Sequence, residues 1–223
     1  PEQVHGYRTL RSYMKCHTHN SAVDNKYKYS THAKDYTKGK TVKSHRYVIG
    51  DINAKNFLVS LDGLVTLIDT DSLAVKDPST GKIYPCKVLL PEYQAPEVLT
   101  GKVSRENRNE YTDRFSLAIL LFKILMKGYN PFQGIQINSD EESNTPDKNI
   151  IKCVSGFFEP EKVRLPDGAP SIKVLEDLSR DLVKMFKQAL IDGCKDPKER
   201  PSAKEWVKVL DNVIKHITSL LRI

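Results

Sequence analysis

The stretch that decides the fold is GDINAKNFLV at residues 50–59, and VTLID follows it at residues 65–69. Both segments contain short runs of β-forming apolar residues, and an LDG turn lies between them, which predicts a small β hairpin. Asp51 and Asn56 come before the first apolar run, while Asp69 directly follows the second. The sequence therefore predicts a hairpin whose ends carry two carboxylates and one amide.

These three side chains suit phosphoryl transfer from a metal-bound nucleotide. One carboxylate can orient an attacking hydroxyl and accept its proton, while an amide oxygen and a second carboxylate hold Mg²⁺ against the phosphates. We expect Asp69 to end a buried strand, where an ionised carboxylate needs a compensating cation. Asp51 and Asn56 could instead be ordinary loop residues that bond nearby backbone groups. The combination of all three favours the catalytic interpretation.

The composition is typical of a soluble globular protein with one good core. Of the 223 residues, 39% are hydrophobic and 28% are charged, and this length suits one large domain or two small ones. No window approaches the roughly 20 apolar residues that span a bilayer, so a membrane protein is not expected. The four cysteines are scattered without a CxxC pair, which indicates reduced thiols and a cytoplasmic location.

The positive charge is concentrated at the N-terminal end. Residues 1–47 hold ten of the 35 Lys and Arg residues but only three of the 28 acidic residues, so they account for the whole net charge of +7. We interpret residues 1–46 as a basic, polar and partly irregular segment, and residues 47–223 as the folded domain. A basic arm could bind nucleic acid. A solvated surface or a site for acidic proteins is the more common meaning, so a nucleic acid partner is not expected.

Helical patterns fill most of the remaining chain. The apolar spacing predicts a buried helix at Tyr111–Met126, a short helix at Asn149–Ser155, and amphipathic helices at Leu175–Leu190 and Ala203–Leu221. A short strand is also predicted at Tyr47–Gly50. The predicted class is α+β, mostly α-helical with a small β hairpin that holds the polar side chains.

Five motifs, in the right order, resemble the C-terminal lobe of the eukaryotic-like protein kinase superfamily. They are GDINAKN at residues 50–56, IDTD at 68–71, QAPE at 94–97, DRFSL at 113–117 and ERPS at 199–202. The combination of GDxNxxN with Asp-x-Asp in place of the DFG motif resembles a bacterial and phage branch of that superfamily. The resemblance covers about four fifths of the chain and implies a protein-kinase-like C-terminal lobe.

The resemblance implies a role for each polar residue of the hairpin. Asp51 corresponds to the catalytic base, and Asn56 and Asp69 correspond to the ligands of Mg²⁺, with ATP as the nucleotide. Asp71 stands where the family usually has Gly. It is either a further metal ligand or a residue that caps the next turn.

Two other positions of the loop depart from the family pattern. Asn53 occupies the place of a lysine usual two residues after the catalytic Asp. We include Asn53 among the cofactor-binding residues and Lys55 among the catalytic ones, facing the phosphates, although a solvated Lys55 is the plainer alternative. Gly50 replaces an Arg that pairs with a phosphorylated activation segment in many kinases. That form of control is therefore in doubt here.

Three further residues are expected to hold the scaffold together. Asp113 lies in the first turn of the predicted buried helix, and the resemblance implies that it braces the backbone of the catalytic loop. Glu97 and Arg200 are expected to form a buried ion pair. Ordinary surface charges are the alternative for this pair.

The N-terminal part of a complete kinase is not recognisable in the sequence. No Gly-rich phosphate loop and no VAIK-like strand precede residue 47, so an N-terminal lobe is expected to be absent or truncated, and a missing lobe or a partner chain would have to complete the site. The predicted function is transfer of the ATP γ-phosphate to a Ser or Thr hydroxyl of a protein substrate. The alternative is a pseudokinase, a kinase-fold scaffold that binds a partner without phosphotransfer.

Overall fold

The computed structural model of the chain describes residues 48–60, 65–70, 73–77, 79–137 and 145–220. Within these ranges the secondary structure is mainly helical, and the short strands form antiparallel pairs. The α-helices are α1 (Pro96–Leu99), α2 (Glu110–Leu125), α3 (Pro146–Lys152), α4 (Lys173–Leu178), α5 (Arg180–Lys187), α6 (Gly193–Lys195) and α7 (Ala203–Leu220). The strands are β1 (Phe57–Val59), β2 (Val65–Leu67), β3 (Val75–Lys76), β4 (Ile83–Tyr84), β5 (Ile135–Gln136) and β6 (Val163–Arg164). These elements agree with the predicted mostly helical α+β class.

The predicted β hairpin is formed by β1 and β2. Phe57 pairs with Leu67 in this antiparallel ladder, and the N–H of Ile68 donates to the carbonyl of Asn56 over 2.9 Å. This last bond extends the ladder beyond β1 and brings the backbone of Asn56 alongside Ile68, one residue before Asp69. The topology of the hairpin therefore carries two of the predicted site residues to the same end.

The strand expected at Tyr47–Gly50 is wrong for the part of it that the structure describes. Val48 makes a single antiparallel bridge with Ala74, and neither Ile49 nor Gly50 belongs to a strand. The reason is that the N–H groups of these two residues bond to a side chain, Asp113, and are not available to a neighbouring strand.

Helix α2 is the central element of the core. Its start is capped by Asn109, whose side chain accepts from the N–H of Tyr111 and whose own N–H donates to the Thr112 hydroxyl, which forms a capping box. Residues 115–122 are all buried, so the middle of the helix is enclosed on every side. Its observed bounds differ by one residue at each end from the predicted 111–126, because the cap lies at Asn109 and Lys127 turns to a positive φ of 54°.

The single helix predicted at Leu175–Leu190 is wrong, because the chain is interrupted at Ser179. Its extended backbone ends α4, and its side chain accepts from the N–H of Leu182 over 3.3 Å to begin α5. After α5, a wider π-helical turn at Gln188–Asp192 leads into α6. The apolar residues keep helical spacing across the break, so the pattern alone did not reveal it.

The other two predicted helices form, one of them at shifted bounds. Helix α3 begins earlier than expected, with a proline as its first residue, a position that favours proline. It ends where Cys153 takes a left-handed φ of 55°, so the predicted Asn149–Ser155 was placed about three residues too late. Helix α7 begins at the predicted Ala203.

Aromatic side chains join α2 to the C-terminal helices in one core. The ring of Phe122 lies 5.3 Å from that of Phe186, and Phe186 lies 4.7 Å from Trp206, all three fully buried. Two turns earlier in α2, Phe115 stacks on Phe132 at 5.8 Å. Because each buried aromatic ring contributes a large area of contact, this packing fixes α2, and with it the helix start, where Asp113 bonds the loop before β1.

Candidate active site

The loop before β1 is braced by Asp113 from the start of α2. The Asp113 carboxylate accepts from the N–H of Ile49 over 2.7 Å and from the N–H of Gly50 over 2.8 Å, across 64 and 63 residues of sequence. Burial raises the pKa of Asp113 to about 6, although these two bonds and the nearby Arg108 act to lower the pKa. The predicted contact between Asp113 and the loop backbone is thus present in the structure.

Asp51 is buried and only partly satisfied. It is 7% exposed, and its Oδ2 accepts from the amide nitrogen of Asn56 over 3.1 Å, while its backbone carbonyl accepts from the same nitrogen over 2.8 Å. Its Oδ1 is also buried and has no hydrogen-bond partner within the described part of the chain. A buried acceptor without a partner costs about 1–3 kcal/mol. This oxygen is therefore suited to receive a donor from a bound molecule.

Asn56 is oriented by that same contact. Its amide nitrogen is committed to Asp51, so its amide oxygen is the atom left for a cation, and the residue is 7% exposed. Asp69, one residue past the bond between Ile68 and Asn56, supplies a carboxylate at the same end of the hairpin. Oxygen ligands of these two kinds are those that Mg²⁺ prefers, so the residues present fit a magnesium ion.

The prediction for the environment of Asp69 is wrong. We predicted a buried strand end, whereas Asp69 is exposed and follows β2 in a left-handed conformation with a φ of 58°. Aspartate is one of the residues that tolerate this region of φ and ψ. The third carboxylate candidate of the site, Asp71, lies outside the described residues. Within those residues, no group of three or more His, Cys, Asp and Glu is arranged for a metal ion.

Asn53 and Lys55, both in the loop before β1, differ in their burial. Asn53 is buried; its side-chain oxygen accepts from the N–H of Lys55 over 2.9 Å, and its amide nitrogen donates to the carbonyl of Asp51 over 3.2 Å. The geometry thus gives Asn53 a role in shaping the loop, and its contact with a cofactor stays a prediction. Lys55 is exposed, and its contact with the phosphates stays a prediction.

Glu97 and Arg200 form the buried ion pair that the sequence predicted. The two guanidinium nitrogens of Arg200 bond both carboxylate oxygens of Glu97, over 2.7 and 2.8 Å. Arg200 also donates to the carbonyls of Gly193 and Tyr111 over 2.6 and 2.9 Å, and it lies 5.0 Å from the ring of Phe115. The pair joins α1, α2 and the turn before α7.

One functional candidate, Arg108, was missed by sequence reasoning. Its side chain is buried at 6% exposure between the catalytic loop and the segment that precedes α1. It donates to the carbonyls of Gly50 over 2.6 Å and Arg105 over 2.9 Å, and also to the carbonyl of Cys86. Nothing in the polar segment around it marks one arginine as buried, because the neighbouring Arg105 has the same local context and is exposed.

Comparison with known proteins identifies the family of this chain. The sequence matches the protein kinase domain family over residues 12–210, most of the chain. The chain therefore belongs to the protein kinase family. It is similar to protein kinase YegI of Escherichia coli (strain K12), with 33% identity over 175 residues, 78% of this chain and 26% of that protein. Protein kinase YegI of Escherichia coli O157:H7 is 32% identical over 173 residues, 77% of this chain and 26% of that protein.

These matches also bear on the extent of the domain. The chain spans about a quarter of the length of the curated relatives it matches. The family match begins at residue 12 and so includes most of the segment 1–46 that we separated from the kinase-like domain. The boundary at 46/47 and the absence of an N-terminal lobe stay predictions, since those residues lie outside the described part of the chain. Within that part, none of the helices is both long and apolar enough to cross a membrane.

Proposed function

We propose that this chain transfers the γ-phosphate of ATP to a Ser or Thr hydroxyl of a protein substrate, with Asp51 as the general base. The observation that carries the proposal is the unpartnered Oδ1 of Asp51, which is buried while Oδ2 is held by Asn56. A base needs one fixed oxygen for orientation and one open oxygen for the proton. The family match and the similarity to protein kinase YegI support this choice of reaction.

In the proposed step the substrate hydroxyl donates its hydrogen bond to Oδ1 of Asp51. The hydroxyl oxygen forms a bond to the γ-phosphorus, the bond from that phosphorus to the β-phosphate oxygen breaks, and ADP leaves. The hydroxyl proton passes to Asp51 late in the transfer. Asp51 is held in place for this role by Asn56, while Asp113 bonds the preceding N–H groups.

The proposed cofactor is Mg²⁺, held by the amide oxygen of Asn56 and the carboxylate of Asp69, with Asp71 as a further candidate ligand. When bound, the ion neutralises charge on the phosphates. Lys55 is proposed to add a positive charge near the phosphates from the exposed side of the loop. Asn53 acts mainly by shaping the loop, through its bonds to Asp51 and Lys55.

The direct test is Asp51→Asn in the full-length protein, with Asp181→Asn as a matched control. Asp181 is an exposed residue of α5 that lies 3.8 Å from Lys184 in a surface ion pair. Because general-base catalysis contributes about 10²–10⁴-fold, phosphate incorporation from γ-labelled ATP should fall at least 100-fold in Asp51→Asn. It should be unchanged in Asp181→Asn, and both proteins should melt as the wild type does. Undiminished transfer by Asp51→Asn would contradict the assignment.

Two measurements test the finer parts of the proposal. Phosphoamino acid analysis of the product should show phosphoserine or phosphothreonine, and phosphotyrosine alone would contradict the proposed acceptor. Asn56→Ala and Asp69→Asn should each raise the Mg²⁺ concentration needed for half-maximal activity. If calorimetry detected no binding of Mg·ATP to the full-length wild-type protein, the scaffold alternative would replace the enzymatic one.

A further inference from the structure

Arg108 links two segments that must lie in a fixed relation for the proposed reaction. It follows the short 3₁₀ turn Arg105–Asn107 and precedes α2. One terminal nitrogen of its guanidinium donates to the carbonyl of Gly50, in the catalytic loop, and the other donates to the carbonyl of Cys86. The first nitrogen also lies 3.5 Å from the side-chain oxygen of Gln94. A single buried cation thus joins the loop of Asp51 to residues 86–94.

The space around Arg108 excludes any side chain at position 50. Gly50 has a φ of +75°, and a Cβ placed on it would lie 2.8 Å from the Cβ of Cys86 and 3.5 Å from Cζ of Arg108. Contacts of 2.8 Å between carbon atoms are not tolerated in well-packed interiors. The arginine that the family motif has at this position could not fit here, and the guanidinium beside the loop comes instead from Arg108.

The two sides of the same peptide unit are held by groups of opposite charge. The carboxylate of Asp113 accepts from the N–H of Gly50, and the guanidinium of Arg108 donates to the carbonyl of Gly50. The two groups also act on each other, since Arg108 lowers the pKa of Asp113. Hydrogen bonds to charged groups are about twice as strong as neutral ones. The residue before Asp51 is therefore fixed from both directions.

We propose that Arg108 is a positioning residue that holds the catalytic loop and residues 86–94 together without any phosphate group. Its Nε and both of its terminal nitrogens already donate to carbonyl oxygens of the chain, so the link is complete in the unmodified protein. The catalytic loop and residues 86–94 are therefore held in a fixed relation without a phosphate bound between them. This inference rests on the proposed function.

The test compares Arg108→Gln and Arg108→Lys with Arg105→Gln in the full-length protein, purified after phosphatase treatment. Arg105 is the exposed arginine three residues earlier, so its replacement controls for the loss of one positive charge in this segment. Phosphatase-treated wild type and Arg105→Gln should keep the untreated wild-type kcat within about twofold, whereas Arg108→Gln should lose at least tenfold, with KM for Mg·ATP changed less than kcat. Arg108→Lys keeps the charge and one donor nitrogen, so its kcat should lie between those of Arg105→Gln and Arg108→Gln.

A second readout is independent of activity and separates this inference from the proposed function. Amide hydrogen exchange at residues 86–94 should be faster in Arg108→Gln than in wild type, and unchanged in Arg105→Gln. Wild-type kcat in both Arg108 variants, or loss of wild-type activity on phosphatase treatment, would overturn the inference. If the wild type transferred no phosphate but exchange still responded to Arg108, the proposed function would fail and the structural link would stand. If amide exchange at residues 86–94 were the same in Arg108→Gln as in wild type, the structural link itself would be contradicted.

Discussion

Breaking the Glu97–Arg200 pair should cost several kcal/mol of stability. The Arg200 side chain is 0% exposed and that of Glu97 is 14% exposed, so Arg200→Met leaves a buried carboxylate without its cation. It also removes the donors for the carbonyls of Gly193 and Tyr111. Removing one partner of a buried pair costs about 3–5 kcal/mol, and we expect Arg200→Met to fall in that range. Glu97→Gln keeps the shape and an oxygen acceptor, and should cost about 1–3 kcal/mol.

The assay is urea unfolding followed by tryptophan fluorescence, since Trp206 is buried 4.7 Å from Phe186. A double-mutant cycle of Arg200→Met and Glu97→Gln should show that the double variant loses less than the sum of the single variants, by about 1–3 kcal/mol. Lys173→Met is the control, because its ion pair with Asp177 is exposed on both sides and such pairs contribute about 0.2–1 kcal/mol. If Arg200→Met cost no more than Lys173→Met, the reasoning about the buried pair would be refuted.

Three further perturbations test other parts of the structure. The pKa of Asp113 in the folded protein, about 6, lies above its ordinary value of 3.8, so its contribution to stability is complete below pH 3.8 and is lost as the pH rises through 6. This loss is about 3 kcal/mol and should be absent in Asp113→Asn; parallel curves of unfolding free energy against pH for the two proteins would contradict it. Gly134 has a φ of +137°, and a Cβ there would lie 2.6 Å from the carbonyl oxygen of Arg164, so Gly134→Ala should cost about 2 kcal/mol or more. Gly101→Ala, at a φ of +74° with open space around it, should cost only about 1 kcal/mol in the same urea titration, and equal losses would argue against the close contact. Asn149, 0% exposed, donates to two loop carbonyls over 2.7 and 3.0 Å, so Asn149→Ala should lower the melting temperature by the equivalent of about 3 kcal/mol; a loss under 1 kcal/mol would show that these carbonyls find other donors.

The sequence predicted those parts of the fold in which local signals agree with burial. Helices α2 and α7 lie within one residue of their predicted starts, because an apolar run coincides with a clear start signal at each of them. The break between α4 and α5 was missed, although Ser179 is a good cap residue. The apolar spacing on both sides, Leu175 and Leu182, continues through the break and outweighed the single polar signal.

In the candidate site, too, the residues with a local sequence signal could be predicted, and those defined by long-range contacts could not. Asp51, Asn56 and Asp69 could be selected because they lie next to short strands within a stretch of 19 residues. The exposure of Asp69 could not be read from the preceding apolar run, since a change to positive φ at one residue redirects the side chain. Arg108 is 58 residues from Gly50, in a segment without periodicity, and only the folded structure distinguishes it from its exposed neighbours.

The missing strand at residues 48–50 and the rigidity of Asp51 have one cause. A neighbouring strand would have to compete with Asp113 for the N–H groups of Ile49 and Gly50, and with Arg108 for the Gly50 carbonyl. Hydrogen bonds to charged groups contribute about 1.5–3 kcal/mol, against about 0.5–1.5 kcal/mol for neutral ones. The charged side chains therefore prevail over sheet pairing at this point. Asp51 is consequently positioned by the buried Arg108 and the half-buried Asp113 at the start of the central helix, and a short edge ladder would hold it less firmly.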